Sequence, residues 1–522
     1  MLRKIRTIVA AVVFVLITLL FLDFTGTLHH WLGWLAKIQF LPAVMALNVV
    51  VIVVLVALTL IFGRIYCSVI CPLGILQDLL ARLRRKKNKY SYSGEVRWLR
   101  YPMLLVFIIA GVVGIGSLFQ LLAPYSAFGR IATMILQPIW MMGNNVLGTI
   151  AERADSYAFY TVDVWMKSLS VLIIASATLV VLFILAWRGG RTYCNTICPV
   201  GTILSFLARF SFLKIRFDEK KCKNCSLCSK NCKAACIDYK THTVDYSRCV
   251  VCGNCIDNCK FGALKYVGSL GNPRESSNPR ESSNSRESSN PRESSNSRIS
   301  SDPNKSGVSG DSIDTSKRSF LLASALLAGG AMAQKKEKLM DGGLAELEDK
   351  VAPSRQTPLT PPGSLSFDHF AQHCTGCQLC VSECPNDVLR PSSDLMHLML
   401  PEMSYERGYC RPECTRCSEV CPAGAFLHVD KPEKSSIQIG HAVWIKKNCV
   451  VLTDEVECGN CARHCPSGAI EMVPMDENDE ESPMIPAINE AACIGCGACE
   501  YVCPSRPFSA IYVEGHEVHK KL

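Results

Sequence analysis

Cys222-Lys-Asn-Cys225-Ser-Leu-Cys228-Ser-Lys-Asn-Cys232 and Cys249-Val-Val-Cys252-Gly-Asn-Cys255-Ile-Asp-Asn-Cys259 are two copies of one pattern, C-x2-C-x2-C-x3-C. At this spacing the first three thiolates of a run wrap one iron-sulfur cube and the fourth reaches across to its neighbour. The rule assigns Cys222, Cys225, Cys228 and Cys259 to one [4Fe-4S] cluster, and Cys249, Cys252, Cys255 and Cys232 to another. Residues 216–270 are therefore expected to form a small α+β domain of the bacterial two-cluster type. Cluster bonds hold most of such a domain together, because little apolar core is available.

The chain has 29 cysteines in 522 residues. Four more groups lie towards its end, each closing on Cys-Pro: Cys374, Cys377, Cys380, Cys384; Cys410, Cys414, Cys417, Cys421; Cys449, Cys458, Cys461, Cys465; and Cys493, Cys496, Cys499, Cys503. One gap in the second group is lengthened, and the first gap of the third is longer still, which enlarges loops without removing a ligand. The crossing rule gives Cys374, Cys377, Cys380 with Cys421; Cys410, Cys414, Cys417 with Cys384; Cys449, Cys458, Cys461 with Cys503; and Cys493, Cys496, Cys499 with Cys465. Zinc is the competing reading for any single group. Repetition of the cluster spacing six times argues against it, and for six [4Fe-4S] clusters, four of them in a domain at 341–522.

Hydrophobic residues make up 49% of the chain, and much of that content sits in four nearly uncharged runs, 7–22, 40–62, 101–122 and 168–187. Most approach the ~20 residues a helix needs to cross hydrocarbon, so residues 1–215 are expected to form an all-α membrane domain of four transmembrane helices. The net charge of +9 divides unevenly: residues 1–334 carry 38 basic and 18 acidic side chains, and residues 335–522 carry 17 and 28. Arg3, Lys4 and Arg6, together with Arg82, Arg84, Arg85, Lys86, Lys87, Lys89, Arg97 and Arg100, flank the runs on one side. By the positive-inside rule that side, and the first ferredoxin domain with it, is cytoplasmic. Basic residues gathered beside apolar runs are topology signals, and nucleic acid is not an expected partner. No ionisable side chain interrupts the four runs, which argues against a proton pump. No catalytic triad or phosphate loop is evident.

Gly63-Arg64-Ile-Tyr66-Cys67-Ser-Val-Ile-Cys71-Pro72-Leu-Gly74 matches Gly190-Arg191-Thr-Tyr193-Cys194-Asn-Thr-Ile-Cys198-Pro199-Val-Gly201. Both copies follow an even-numbered run, so the two helix pairs are expected to be duplicated units about a pseudo-twofold axis, with Cys67, Cys71, Cys194 and Cys198 converging. A set of redox or metal-binding thiols is the functional reading, and a tight turn with small buried residues is the plain one. A structural disulfide does not suit a reducing cytoplasm.

Residues 272–301 are five hexads of the type Asn272-Pro273-Arg274-Glu275-Ser276-Ser277, so 271–315 reads as a disordered tether. Ser316-Lys317-Arg318-Ser319-Phe320-Leu321, a modest apolar run and Ala331-Met332-Ala333 follow. This 316–340 segment resembles a twin-arginine export signal with lysine in the first arginine position, and uncleaved it would be an anchor.

Four helices, two C-x3-C-P motifs and a two-cluster ferredoxin in that order resemble the NapH-type membrane ferredoxins, relatives of the NosR and CcoG proteins. Lys233 and Lys260 stand where that family usually has proline, and Cys236 is left over. The four later groups, with Pro422-Ala423-Gly424-Ala425, Arg463-His464-Cys465-Pro466 and Gly495-Cys496-Gly497-Ala498-Cys499-Glu500, resemble the NapG-type exported ferredoxins. The resemblance implies a bacterial inner-membrane electron-transfer protein with a periplasmic C-terminal domain. It also implies electrons drawn from the quinol pool and passed to a terminal reductase or cytochrome of a nitrate or nitrite reductase type chain. The alternative is a redox sensor or a copper-handling maturation protein. For a quinone, the outer mouth between the first two runs offers Asp23, His29, His30, Trp31 and Trp34, of which His29 and His30 are the candidate contacts.

Overall fold

The computed structural model describes residues 2–84, 90–156, 158–268, 348–476, 478–479 and 482–522. The described residues before 269 and after 348 pack as one compact unit. The expected tether at 271–315 and the export segment at 316–340 lie outside the described residues, as do Arg85, Lys86, Lys87 and Lys89 of the basic loop.

Helix α1 (Leu2–Leu22) is about 31 Å long at 1.5 Å per residue, the thickness of a bilayer core. Ile17, Leu20 and Phe21 are fully buried on one face, while Ile8, Val12 and Val15 point outward. Short helices α2 (Leu28–Leu32), α3 (Trp34–Lys37) and α4 (Phe40–Met45) fold back towards the bundle. They lead to α5 (Val49–Phe62), α6 (Tyr66–Val69) and α7 (Pro72–Leu83). After the basic loop come α8 (Arg97–Val113), α9 (Gly116–Leu122) and α10 (Pro124–Ile131), which continues through a π-helical turn, Ala132–Leu136, into α11 (Gln137–Arg153). The bundle closes with α12 (Leu169–Gly189), α13 (Thr192–Thr196) and α14 (Pro199–Ala208).

Among the described residues two helices, α1 and α12, are long and apolar enough to cross a membrane, where the sequence reading expects four. The second expected run, 40–62, breaks at Leu47, whose φ is 50°. Asn48 then caps α5 by accepting from the Val51 amide at 3.2 Å, leaving 14 helical residues. The third, 101–122, breaks at Gly114, which closes α8 in the left-handed conformation. The helical stretch from Pro124 to Arg153 was not anticipated, and it buries Arg130 completely.

The repeat in sequence is a repeat in structure. In each copy a long helix ends at a positive-φ glycine, Gly63 or Gly190, a single turn carries the first cysteine, and a proline opens the next helix directly after the second.

Beyond the bundle, strands β1 (Leu213–Phe217), β2 (Ile237–Asp238), β3 (Thr243–Val244) and β4 (Leu264–Gly268) pair antiparallel as β1–β4 and β2–β3 around the first cysteine runs. In the C-terminal region β5 (Leu389–Pro391) pairs with β6 (Pro401–Met403). Strand β7 (Ile437–Trp444) pairs with β10 (Ile511–Lys521), and β8 (Ile470–Pro474) with β9 (Met484–Ile488), each antiparallel. These short hairpins and helical turns match the expected α+β character of the cysteine-rich regions.

The two cysteine-rich regions meet the bundle at different ends of the same helices. Arg3 at the start of α1 lies 3.7 Å from Asp257, and the Arg191 amide just past the end of α12 donates to Lys233 O at 2.9 Å. At the far end of α1, Arg416 donates to Thr25 O at 2.9 Å. Just before α12, Lys167 donates to Val381 O at 2.9 Å and Ser168 bonds Ser393 at 3.1 Å.

Candidate iron-sulfur sites and a buried thiol set

Main-chain N–H groups face sulfur in both the C-x2-C loops and the segments after the fourth cysteines. Gly376 N–H donates to Cys374 Sγ at 3.4 Å, Ala263 N–H to Cys259 Sγ at 3.3 Å, and Ala510 N–H to Cys503 Sγ at 3.3 Å. Gly376 makes the first turn possible with a φ of 63°. Such N–H···S contacts are among the levers by which proteins set cluster potentials.

The loops bring the expected cysteines together. One cavity is lined by Cys222, Cys225, Cys228 and Cys259, and its neighbour by Cys232, Cys249, Cys252 and Cys255. In the C-terminal region one cavity has Cys384, Cys410, Cys414 and Cys417, another Cys449, Cys458, Cys461 and Cys503, and a third Cys465, Cys493, Cys496 and Cys499. These five enclose roughly 270 to 380 Å³ of empty space each. The remaining four, Cys374, Cys377, Cys380 and Cys421, lie within electrostatic reach of one another, each charge opposing ionisation of its neighbours. In every set the fourth cysteine comes from the partner run.

Four cysteines crossed between two runs, with main-chain N–H groups on the sulfur, are the donor set that fits a [4Fe-4S] cluster. Burial pushes the thiols of Cys228 and Cys461 up to about 11, and those of Cys377 and Cys496 up to about 12. Such thiols stay protonated at neutral pH until a cation displaces the proton.

Cys67, Cys71, Cys194 and Cys198 are all buried at the junction of the two repeats. All four belong to one buried cluster, in which Arg64 Nη2 lies 3.9 Å from Cys67 Sγ and Gln77 of the first copy donates to Cys194 Sγ of the second at 3.3 Å. The junction is reciprocal. Arg64 of the first copy donates from Nη2 to Cys194 O at 3.0 Å, and Arg191, its counterpart, donates to Cys67 O. Gly74 and Gly201 are also counterparts, and a Cβ on either would collide with the carbonyl of Cys67 or Cys194.

Several residues of this junction escaped the sequence reading. Asp78 is buried and binds Arg191 at 2.9 Å, Arg6 at 3.3 Å and Lys233 at 3.4 Å. Lys233, noted only as a missing proline, thereby ties the first cysteine-rich region to the bundle. Arg64 donates to Asn195 Oδ1 and Ser247 O, each at 2.9 Å. The invariance of Gly-Arg-x-Tyr-Cys between the two copies was the available signal for the arginines. Cys236 lines the same cavity as Cys232, with its Sγ 3.5 Å away.

Of the quinone candidates, Asp23 spends its carboxylate on a turn, accepting from the Thr25, Gly26 and Leu28 amides. His29 faces Asp23 and Glu419 and has a buried Nδ1 without a partner among the described residues, while His30 packs edge-on against Trp31. His464 is exposed and bonds Asn460 O at 3.0 Å.

Cavities walled by four crossed cysteines define an iron-sulfur electron-transfer protein of ferredoxin type. A 4Fe-4S dicluster domain model matches residues 371–437 and 456–506, and a 4Fe-4S binding domain model matches 242–265. A further 4Fe-4S binding domain model matches 44–90 and 169–218, segments whose cysteines are Cys67, Cys71, Cys194 and Cys198. The methylamine utilization ferredoxin-type protein MauM of Paracoccus denitrificans is 33% identical over 31% of this chain and 73% of its own length. The ferredoxin-type protein NapG of Escherichia coli is 28% identical over 31% of this chain and 75% of its own. An uncharacterised protein of Methanocaldococcus jannaschii is 23% identical over 43% of this chain and 72% of its own. The chain belongs to the ferredoxin-type 4Fe-4S proteins that include MauM and NapG. No solved structure matches it.

Proposed function

We propose that the chain is a membrane-bound relay that takes electrons from quinol and passes them, through six [4Fe-4S] clusters, to a terminal reductase or cytochrome. The ligands are the six cysteine sets described above, and each cluster would supply one-electron redox chemistry at its site. In this reading residues 1–215 act as a NapH-type membrane domain and residues 341–522 as a NapG-type domain, joined in one chain.

One observation carries the reading: the two cysteine-rich regions contact opposite ends of α1 and α12, the two helices able to span a bilayer. Outward-facing Ile8, Val12, Ile108, Val112, Val180 and Ile184 on α1, α8 and α12 belong in lipid rather than water. Arg84 and Arg100 contact the end of α12 and Ser247, on the side of the first region, in keeping with a cytoplasmic face there. The C-terminal region is then periplasmic, exported by the segment at 316–340.

Two measurements test this. Reporter fusions at residues 270 and 522 are expected on opposite sides of the membrane, and the same side for both overturns the topology. Purified protein mixed anaerobically with a menaquinol analogue is expected to develop the paramagnetic signals of reduced clusters. Silence after quinol, with full signals after dithionite, removes quinol as the donor.

A further inference from the structure

We propose that the four cysteine sets of the C-terminal region form one unbranched line, entered from the bundle at Cys374, Cys377, Cys380 and Cys421 and ending at Cys449, Cys458, Cys461 and Cys503. The direction of flow rests on the relay reading above, but the order of the sets does not.

The entry set is built onto α9 and α10. The backbone of Gly129 packs so closely on the Cys377 carbonyl that a Cβ there would collide with it. Ser126 Oγ donates to Thr375 O, and Gln120 Nε2 donates to Cys374 O at 3.3 Å. Arg130, fully buried, fixes Gln120 in turn by donating to its carbonyl at 2.9 Å. Further along the same run, Lys167 donates to Val381 O at 2.9 Å and Gln137 to Ser382 O at 3.0 Å. The run that supplies the fourth ligand touches the bundle as well, since a Cβ on Gly424 would lie 3.4 Å from Ala46 Cα. A ligand loop whose own main chain is hydrogen-bonded to the bundle is held at a fixed distance from it, and electron transfer falls steeply with distance. In the neighbouring set Arg416, beside Cys417, reaches Thr25 O with the end of a long side chain, a looser tether than main chain on helix.

Contacts between the sets give the rest of the order. Crossing joins the entry set to the second, because Cys384 of the first run walls the cavity of Cys410, Cys414 and Cys417. The second set then meets the last run of the sequence. The Cys410 amide donates to Cys496 O at 2.9 Å, Tyr405 OH donates to Gly495 O at 2.7 Å, and Gly497 lies against the Tyr405 ring. The third set in line is therefore Cys465, Cys493, Cys496 and Cys499. A second crossing carries the line on, because Cys503 walls the end cavity with Cys449, Cys458 and Cys461. The order in space thus exchanges the last two runs relative to the order in sequence.

Residues 453–457, within the longest gap between Cys449 and Cys458, are exposed, so an acceptor reaches the end set from solvent. Quinol oxidised to quinone at the bundle gives up two protons and two electrons. The electrons pass singly along the line, and the metal centre of the terminal reductase or cytochrome is reduced at its end.

The test is electron paramagnetic resonance of the full chain, purified anaerobically in detergent and reduced with dithionite. Neighbouring reduced clusters broaden each other's signals, so emptying one set sharpens only the sets beside it. Cys414→Ser is expected to sharpen the signals of the entry set and the third set, and Cys458→Ser those of the third set alone, each with a loss of about four iron atoms. Cys417→Ser and Cys461→Ser empty the same two sets through other ligands, so a chain that fails to fold with one substitution is read with the other. Sharpening of the Cys449 set on removal of the second set, in place of the Cys493 set, overturns the order. With a menaquinol analogue as reductant, Cys380→Ser is expected to abolish reduction of the three sets beyond it, whereas Cys458→Ser leaves reduction of the other three intact. Quinol reduction of those three sets in Cys380→Ser overturns the entry point. An intact chain that quinol cannot reduce removes the relay reading instead, and the order still stands or falls on the dithionite spectra.

Discussion

Arg191 donates from Nε to Asp78 Oδ1 at 2.9 Å with both side chains buried, so the second repeat is anchored to α7 of the first by one charged bond. Burial alone would raise this carboxyl, but Arg191, Lys233 and Arg6 outweigh it and hold it well below the ordinary carboxylate range. The contribution is therefore complete above about pH 4 and is lost only as pH falls further. Asp78→Asn leaves three cations facing a neutral group, and a loss of about 3–5 kcal/mol is expected. Thermal unfolding in detergent reads this out. A shift worth under about 1 kcal/mol would mean the three cations find water instead.

The reciprocity of the repeats makes a second prediction. A methyl group at Gly74 would meet the carbonyl of Cys67, and one at Gly201 would meet the carbonyl of Cys194 and approach Arg64 Nη2 to 2.8 Å. Backbone cannot step aside as a flexible side chain can. Gly74→Ala and Gly201→Ala should each cost about 1–3 kcal/mol, and to a similar degree. Unequal losses, one near zero, would show that the two copies do not share this packing.

Local chemistry was legible in the sequence and distant chemistry was not. The cysteine sets follow from spacings of two and three residues, and the crossing from their pairing, so the cavities could be named before any coordinates. The repeat gave Arg64 and Arg191 as matched positions without saying what they touch. Asp78 and Arg191 are 113 residues apart, a separation at which no pattern in the chain links them. The breaks at Asn48 and Gly114 lie inside apolar runs, where hydropathy reads straight through a cap. Arg130, Gln137, Asn144 and Asn145 break the apolar pattern from Pro124 to Arg153, and their partners in the fold, the carbonyls of Gln120, Tyr160 and Val162 and the Lys167 ammonium, are not readable from the local sequence.

His519, on the last strand, gives a pH signature. It bonds Thr360 Oγ1 at 3.0 Å, and burial, helped by His516, pushes its imidazole down to about 4. The unfolded chain binds a proton near pH 6.5, so this position favours folding fully above that value and loses the advantage as pH falls towards 4. The C-terminal region should lose about 1–2 kcal/mol over that window, discounted for partial exposure. His519→Gln should flatten the profile. Unfolding midpoints across pH 4 to 7 that are parallel in the two proteins would rule His519 out.

The quinol step can be located by separating donor from clusters. His29 keeps a buried Nδ1 without a partner among the described residues, beside the C-terminal region, and His30 is its neighbour on α2. The double substitution His29→Ala/His30→Ala is expected to abolish quinol-dependent cluster reduction while dithionite reduction stays intact. Stopped-flow absorbance with each reductant measures both. Unchanged quinol kinetics would take the two histidines out of the mechanism.

Crossing of the fourth cysteine can be tested by non-additivity. If Cys259 belongs with Cys222, Cys225 and Cys228, then Cys222→Ser and Cys259→Ser each empty the same site. The double variant should lose no more iron than either single one, about four atoms. Cys255 lines the other cavity with Cys232, Cys249 and Cys252, so Cys255→Ser combined with Cys259→Ser should lose about eight. The opposite pattern, additive for Cys222 with Cys259 and non-additive for Cys255 with Cys259, would place each cluster within its own run. The same pair of experiments applied to Cys374 with Cys421 and Cys417 with Cys421 asks whether the lengthened gap after Cys410 changes the pairing. The cavity shared by Cys384, Cys410, Cys414 and Cys417 leaves Cys421 to the other set, so the crossing is expected there as well.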